Sequence, residues 1–520
     1  MRETEAKADV IIIGASTGGC AAALAAAEAG KTVILTEESD WIGGQLTSQA
    51  VPPDEHPWIE QYGCTLAYRQ FREGVRSYYK RNFPLTASAA FQPLFNPGNA
   101  MVSRISHEPR AALAVLEAML APYVHSGAVT VVKGVRPVAA ETDGDRVRGV
   151  TLEHEDDGTR LTVTGAYFLD ATDCGDLLPL VGAEYVTGAE SAAETGEPHA
   201  VGGPAMPQDM QAFTYCFVMD YLEGEDHTIE RPKQYDFWRA WRADFWPALQ
   251  LSWQSPSPRT HEPVEYALFP HGDKFSLWRY RRILDRSQFR PGLFASDITA
   301  VNWPQNDYWL GPIIDVTPEE RRSHLEAAKQ LSLSLLYWMQ TEAPRPDGKL
   351  GYPGLRLRRD VVGTRDGLAK MPYIRESRRI RAEFTVLEQH VSPEIRGESG
   401  AQTFDDSVGI GFYHIDLHPS SGGRNYIDIP SLPFQIPLGS LLPVRLINLL
   451  PACKNIGTTH ITNGCYRLHP VEWNIGEAAG ALAAFCLDEG VIPKEVRLKK
   501  ERLETFQRRL VKRGVELSWP

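Results

Sequence analysis

Two histidines and an aspartate in the C-terminal third of the sequence have a spacing that suits proton transfer. The segment DDSVGIGFYHIDLHP places His414, Asp416 and His418 at alternate positions. Alternate side chains of a β-strand point to the same face, so a strand here would hold all three together. Imidazole titrates near neutral pH and can act as a general acid or base. Metal ligation, which requires a further ligand, and a purely structural role are the alternatives.

A glycine-rich turn near the N-terminus has the composition of a dinucleotide-binding site. Residues 8–37 read ADVIIIGASTGGCAAALAAAEAGKTVILTE, which predicts a buried strand, an alanine-rich helix and a second buried strand. The N-terminus of such a helix directs free N–H groups and a positive dipole end at a pyrophosphate. Ser16 stands where the G-x-G-x-x-G motif has its middle glycine. The turn residues that we expect at the cofactor are Gly14, Ser16, Thr17, Gly18 and Gly19.

A carboxylate follows the second predicted strand. Glu37 lies 23 positions after Gly14, close to the spacing of about 20 at which an acidic residue binds the ribose hydroxyls. Glu38 is the alternative ribose contact. The strand, helix, second strand and acidic tip together predict a Rossmann-like βαβ unit that binds a dinucleotide.

Size and composition limit the classes of protein to be considered. A chain of 520 residues exceeds the usual size of one core, so we expect two or more domains. The net charge of −12, without a basic block, argues against nucleic acid and anionic membranes as partners, and no apolar run is long enough to span a bilayer. The N-terminus lacks an apolar signal core, and the seven cysteines form no C-x-x-C. We therefore expect a cytoplasmic enzyme that uses no metal.

An aromatic-rich region occupies the middle of the chain. Residues 206–440 hold seven tryptophans in their first half, and their patterns predict strands at 213–219, 266–269 and 275–280 and a long helix at 318–339. This composition fits an α+β domain that covers a substrate. For any single tryptophan the default role is in the core or at a subunit contact, so the formation of a homo-oligomer is one of the alternatives.

An arginine run follows in the segment PYIRESRRIRAEFTV. The default interpretation is a solvated helical face. Alternatively, the guanidinium groups could hold a substrate carboxylate or a domain interface. The run consists of Arg375, Arg378, Arg379 and Arg381.

Six motifs resemble those of the FAD-dependent oxidoreductase family. The members of this family are glutathione-reductase-like two-domain flavoproteins and include proteins described as xanthan-lyase-like. The motifs are GASTGG, WIGGQLTSQ, DATDCGDL, SDITAVNWPQNDYW, PYIRESRRI and NLLPACKNIGTTHITNG…NIGEAAG. The resemblance implies an α/β fold with a Rossmann-like FAD-binding domain, an inserted α+β substrate domain, and FAD as cofactor. We expect the FAD-binding domain at 1–205 and 441–490, the substrate domain at 206–440, and a basic, solvated helical tail at 491–520.

The resemblance also implies further cofactor contacts. A loop after the ribose carboxylate follows the pyrophosphate toward the flavin, a second strand ends beside the ADP moiety, and the N-terminus of a late helix faces the flavin N1/C2=O edge. Asp173 replaces a usual glycine, and Pro137, at the adenine, can offer only its carbonyl. The residues implied are Gly43, Gly44, Gln45, Pro137, Ala171, Thr172, Asp173, Asn455, Asn474 and Ile475.

Three functions are compatible with these features. The first is an FAD enzyme that takes a hydride from a CH–OH or CH–NH group of a small polar substrate. For this reaction His414 is the first candidate base and His460, in the segment THITNG, the second, followed by Asp416 and His418. The second function is reduction of an activated C=C bond in a carboxylate substrate, which the arginine run suggests. The third is non-catalytic binding of FAD or another nucleotide, suggested by Ser16 and Asp173.

Overall fold

Five parallel strands form the centre of the molecule in the computed structural model, which describes residues 3–520. Each strand pairs in parallel with its neighbours. This sheet confirms the predicted α/β class and its Rossmann-like parallel core. The strand order across the sheet is Leu449–Pro451, Tyr167–Asp170, Val10–Ile13, Val33–Glu37 and Val129–Lys133.

The central strand Val10–Ile13 is buried on both faces, as its run of β-branched residues predicts. Val10 and Ile12 pack into the core that contains the helices, whereas Ile11 and Ile13 pack into a second core. That second core is closed by a four-stranded sheet, with the order Glu3–Lys7, Arg160–Thr164, Arg146–His154 and Val135–Asp143. Because successive side chains of a strand point to opposite faces of the sheet, the position of each residue in the strand decides which of the two cores its side chain enters.

Two helices from opposite ends of the chain cross in direct backbone contact. The first helix is Thr17–Glu28 and the closing helix is His469–Glu489. A Cβ atom on Gly476 would lie 1.9 Å from the carbonyl oxygen of Gly18, and one on Gly480 would lie 2.3 Å from that of Ala22. The closing helix starts five residues before the predicted position 474, because Pro470 suits the first helical turn.

The aromatic-rich region builds a core of its own around an antiparallel sheet. The strand order is Arg282–Leu284, Ile298–Val301, Phe217–Tyr221 and Leu355–Leu357. Most of the tryptophans are buried in this core or beside it, which is the default role. The strand predicted at 213–219 begins only at Phe217. The strand predicted at 275–280 is a two-residue strand followed by a helical turn at Leu277–Tyr280.

The C-terminal segment corrects the prediction of one basic, solvated helix. It forms the helices Pro493–Leu498 and Lys500–Lys512. The second of these buries Leu503, Phe506 and Leu510, and the Phe506 ring lies 5.4 Å from that of Phe485 on the closing helix. Apolar residues at helical spacing, interleaved with the basic ones, anchor this segment against the closing helix.

The remaining elements complete the architecture. Within residues 3–520, no helix combines the length and the apolar character needed to cross a membrane. The other helices are Leu66–Asn82, Ala87–Ala90, Pro109–His125, Leu177–Leu180, Ala192–Thr195, Tyr235–Ala240, Pro318–Thr341, Arg359–Val362, Glu388–Val391, Pro393–Arg396 and His460–Tyr466. The other strands are Tyr185–Val186, Gln254–Pro256, Pro263–Ala267, Arg379–Ile380, Ser407–Gly411, Ile415–Leu417, Ile427–Ile429 and Phe434–Pro437.

We predict that Gly476→Ala lowers the free energy of unfolding by about 1–3 kcal/mol, because the added methyl group overpacks a contact between two backbones. The better helix propensity of alanine, worth up to about 1 kcal/mol, offsets only part of this cost. The measurement is the thermal unfolding midpoint of the protein. Gly202→Ala is the control, since no atom lies within 4 Å of its added Cβ. An unchanged midpoint in Gly476→Ala would contradict the contact.

Candidate functional site

The carboxyl ends of the parallel strands bring the predicted cofactor segments to one edge of the sheet. Ile13, which precedes the glycine turn, pairs with Thr36 on one side and with Asp170 on the other. Asp170 pairs in turn with Pro451 of the last strand. This edge is where ligands of such folds bind.

The glycine turn has the backbone geometry that its residues predict. Gly14 has φ +96°, and a Cβ atom there would lie 2.5 Å from the carbonyl oxygen of Ala171. A Cβ on Gly19 would lie 2.1 Å from the carbonyl oxygen of Gly14. Ser16 caps the first helix, because its Oγ accepts a hydrogen bond from the Gly19 N–H at 3.2 Å. The serine thus stabilises the turn in which it replaces a glycine.

Two backbone donors lie unpaired at the start of the first helix. Ser16 and Thr17 are 2% and 0% exposed. Their N–H groups donate to no acceptor within residues 3–520. Buried backbone N–H groups in proteins almost always have a partner. A bound anion at the helix N-terminus would provide one.

Glu37 lies beside this helix terminus at the end of its strand. One carboxylate oxygen accepts the Ala15 N–H at 3.2 Å, and the other accepts the Ser39 hydroxyl at 2.7 Å. Burial raises the pKa of the Glu37 carboxyl to about 8, although the hydrogen bonds from Ser39 lower it. Burial likewise raises the pKa of the half-buried Glu38, to about 7.

The loop with Gly43 and Gly44 packs directly on the glycine turn. Both residues have positive φ, at +112° and +51°. The Gly43 N–H donates to the Ala15 carbonyl at 2.6 Å, and the Thr17 hydroxyl donates to the Gly43 carbonyl at 3.0 Å. Gln45 follows in a short helical turn and is buried. The loop and the turn therefore form one cradle.

Glu472 joins this cradle to the closing helix, and the sequence analysis did not single it out. The residue is 0% exposed and accepts the Gly18 N–H at 3.1 Å. Its other oxygen accepts a hydrogen bond from the Gln45 amide. Lys454 Nζ lies 3.6 Å from the same carboxylate and balances its charge. An acidic residue in the first turn of an otherwise apolar helix was the available sequence signal.

The second fingerprint, residues 170–173, is held by its own side chains. Asp170 accepts hydrogen bonds from the N–H and the hydroxyl of Thr172, and Ala171 is fully buried against the glycine turn. Asp173, in the position of the usual glycine, pairs with Lys454 at 2.5 Å. Asn455 donates to the Asp170 carbonyl at 3.1 Å and so ties the last strand to this turn.

Three predicted cofactor contacts lie outside the glycine turn and the Gly43 loop. Pro137 is in the strand Val135–Asp143 of the second sheet and is half-buried. Asn474 and Ile475 are buried in the second turn of the closing helix, and the Asn474 amide donates to the Val408 carbonyl at 3.1 Å. The positive end of that helix therefore lies at His469 rather than at position 474.

A cavity of about 390 Å³ adjoins the cradle. Arg467 lies between the two: its carbonyl accepts a hydrogen bond from the Gln45 amide at 3.1 Å, and its guanidinium lines the cavity. The aromatic part of the wall comprises Tyr266, Phe275, Tyr280, Trp303, Tyr373, Tyr413 and Tyr426.

The strand Ile415–Leu417 brings His414, Asp416 and His418 to this cavity together. His414 Nδ1 lies 2.6 Å from Asp428, and His418 Nδ1 lies 2.6 Å from Asp307. Both histidines are therefore oriented by a carboxylate, as general bases usually are. Within residues 3–520, no group of three or more His, Cys, Asp or Glu side chains is arranged to hold a metal ion.

Every arginine of the cavity is paired with an aspartate. Arg281 lies 3.0 Å from Asp54, and Arg467 lies 2.9 Å from Asp416. Arg375 lies 2.9 Å from the buried Asp307. The positive charges at the wall are therefore already neutralised.

The arginine run is not the solvated helical face that we expected as the default. The segment is extended, and Arg375, Arg378 and Arg379 are buried while Arg381 is exposed. Arg378 pairs with Asp176 and Asp315, each at 2.9 Å. Carboxylates from distant segments form ion pairs with these guanidinium groups. The ion pairs offset part of the desolvation cost of burying the charges.

His460 lies outside the cavity wall. It is buried at the start of the helix His460–Tyr466, with Nδ1 2.9 Å from Glu376. Burial alone would raise the pKa of Glu376, but the charges of His460 and Arg379 lower it to about 2. His460 thus belongs to a buried ionic cluster behind the cavity.

The sequence of residues 9–510 matches the family described as FAD dependent oxidoreductase. This chain belongs to that family. The match confirms the family that the six motifs predict, as well as the oxidoreductase class and FAD as the cofactor. A comparison with curated proteins finds no match.

Three solved structures are similar to this FAD-dependent oxidoreductase at low identity. The anhydrotetracycline hydroxylase OxyS from Streptomyces rimosus is 12% identical, with 97% of this chain and 66% of that chain covered and a TM-score of 0.35. A geranylgeranyl bacteriochlorophyll reductase-like protein from Thermoplasma acidophilum is 10% identical, with 98% and 85% covered and a TM-score of 0.32. L-proline dehydrogenase from P. horikoshii is 14% identical, with 36% and 25% covered and a TM-score of 0.19. The chain thus spans a quarter of that last protein, and these similarities say nothing about its substrate.

The cradle fits FAD. The N–H groups of the buried Ser16 and Thr17 lie at the N-terminus of the first helix and have no acceptor within residues 3–520, so they are available to a pyrophosphate. Glu37 lies beside them at the end of the next strand and accepts three hydrogen bonds, which leaves part of its capacity for a ribose hydroxyl. The loop from Gly43 to Gln45 then leads from this terminus toward the cavity.

We predict that Glu37→Ala weakens FAD binding about 10- to 100-fold, because it removes a charge-assisted contact worth about 1.5–3 kcal/mol. The measurement is a fluorescence titration of the apoprotein with FAD. Because the pKa of Glu37 is about 8, the contact is charge-assisted only above that pH, so the full loss is expected at about pH 9. Affinity should rise as the pH increases through 8 in the parent protein and not in the variant.

Glu38→Ala is the matched control and should retain the parent affinity. A loss of affinity in Glu38→Ala with none in Glu37→Ala would move the ribose contact to Glu38.

Proposed function

We propose that this enzyme oxidises a CH–OH or CH–NH group of a small polar substrate bound in the cavity, with His414 as the base. The observation that carries the proposal is a histidine at the wall with one nitrogen fixed and the other free. His414 Nδ1 is held by Asp428, and its Nε2 has no hydrogen-bond partner within residues 3–520. His418, in contrast, has Asp416 3.6 Å from its Nε2.

The surroundings of His414 adjust its basicity. Burial lowers the pKa of the imidazole, but the hydrogen bond to Asp428 and the charges of Asp416 and Asp428 outweigh it, so the pKa lies above the ordinary value. The imidazole accepts a proton only in its neutral form. The rate of substrate oxidation should therefore rise with pH until His414 is deprotonated.

The cofactor and the residues of the protein have different roles in this reaction. FAD, when bound, supplies a two-electron acceptor for the hydride. Ser16, Thr17, Glu37 and the Gly43 loop would hold it, and Arg467 would separate its cradle from the substrate. His414 removes the proton from the oxygen or nitrogen atom of the substrate.

The alternative functions have less support. A reductase of unsaturated carboxylates needs a guanidinium free to bind the carboxylate, whereas Arg281, Arg375 and Arg467 are each paired with an aspartate. A non-catalytic role rested on Ser16 and Asp173. Ser16 caps the first helix and Asp173 pairs with Lys454, so neither substitution implies a lost site.

We predict that His414→Asn lowers the rate of flavin reduction by substrate about 10²- to 10⁴-fold while FAD remains bound, because it removes the general base. The measurement is anaerobic stopped-flow absorbance as a function of pH. Asp428→Asn should shift the acidic limb of the profile to lower pH, because it removes the group that raises the pKa of His414.

His227→Asn is the control, since within residues 3–520 the His227 imidazole pairs only with the exposed Glu225, at 2.7 Å. Parent rates in His414→Asn together with a large loss in His460→Asn would transfer the role of the base to His460.

A further inference from the structure

Three acid–base pairs of side chains line the cavity. They are Asp54 with Arg281, Asp416 with Arg467, and Asp428 with His414, with separations of 3.0, 2.9 and 2.6 Å. Asp416 keeps its charge, since His418, Arg467 and His414 hold its pKa well below the usual range against the effect of burial. The two arginine–aspartate pairs therefore each present a hydrogen-bond acceptor next to a donor, and the neutral His414 adds a free Nε2 acceptor beside Asp428.

This arrangement selects the class of ligand by its hydrogen-bonding groups. A carboxylate offers only acceptors and an ammonium group only donors, so each would use one member of a pair and be repelled by the other. A hydroxyl group both donates and accepts, and so matches a carboxylate and a cation side by side. Two such pairs, together with His414, around one cavity fit a molecule with several hydroxyl groups.

The apolar part of the wall fits the same kind of molecule. Tyr266, Phe275 and Tyr426 present aromatic surface between the charged pairs. The Tyr413 ring lies 4.3 Å from that of His414, and its hydroxyl has no hydrogen-bond partner within residues 3–520. A sugar ring has an apolar C–H face as well as polar edges. The volume of about 390 Å³ lies at the lower end of the range of about 300–1,000 Å³ for small-molecule sites.

We propose that the cavity binds an uncharged sugar or cyclic polyol of one or two rings, which is oxidised at a CH–OH group. This inference rests on the proposed function for its chemical step. In that step the carbinol carbon loses its hydrogen as a hydride to bound FAD, which is the oxidant. The hydroxyl loses its proton to His414, and a C=O bond is formed.

The test uses the FAD-loaded enzyme in two independent assays. Calorimetric titration measures binding of aldoses, disaccharides and myo-inositol, with L-lactate as the carboxylate probe and benzylamine as the ammonium probe. Anaerobic absorbance then measures flavin bleaching by each compound. We expect at least one neutral polyol to bind and to bleach the flavin, and the charged probes to do neither.

The two assays separate the two proposals. Binding of a polyol without bleaching by any compound would support the ligand class and overturn the oxidation. Bleaching by benzylamine or L-lactate, with no polyol bound, would overturn the ligand class and leave the oxidation standing. If no compound binds and none bleaches the flavin, both proposals are overturned.

Variants of the wall test the role of the paired charges. Asp54→Asn should weaken polyol binding about 10-fold or more and strengthen L-lactate binding, because Arg281 loses its counter-charge. Tyr413→Phe, which removes only a hydroxyl group, should weaken polyol binding about 2- to 10-fold. This variant provides the test if Asp54→Asn does not fold. Asp488→Asn, which breaks an ion pair with Lys31 outside the cavity, is the control. Parent affinity for the polyol in both cavity variants would overturn the proposal.

Discussion

The contact between the first helix and the closing helix is the constraint on which the cofactor edge depends. Their backbones touch at Gly18 and Gly476 and again at Ala22 and Gly480, so no side chain separates them. This approach brings the N-terminus of the closing helix against the glycine turn. Only at that separation can Glu472 accept the Gly18 N–H and connect the turn, the Gln45 loop and Lys454. A change in the helix contact would therefore alter the entire cradle.

Pairing of buried charge is the second principle of the site. Removing an ion from water costs several kcal/mol, and a partner at close range recovers this cost only with good geometry. At the cavity wall, Arg281 has Asp54 and Arg375 has Asp307. Because its charges are matched within the protein, the cavity has fixed polar groups without a net demand for an ionic ligand. On our proposal, this feature favours an uncharged substrate over an acid or an amine.

The two departures from the flavoprotein motifs show how local substitutions are accommodated. Ser16 replaces a glycine but provides the cap of the helix that follows, and Asp173 replaces a glycine but meets Lys454. The first effect is local, because a serine before a helix acts on the next turn. The second depends on a residue 281 positions away. From the sequence alone, Asp173 could be identified as unusual but not as paired.

The sequence by itself determined the parallel core, the glycine turn, the acidic end of its second strand and the shared face of His414, Asp416 and His418. These features follow from residues close together in the chain, through strand and helix periodicity and the freedom of glycine. Only the tertiary structure decided that the arginine run is buried, that Glu472 joins the cradle and that His414 lines the cavity while His460 does not. Burial and ion pairing depend on which distant segments fold against a residue. The local sequence pattern around that residue does not predict those segments.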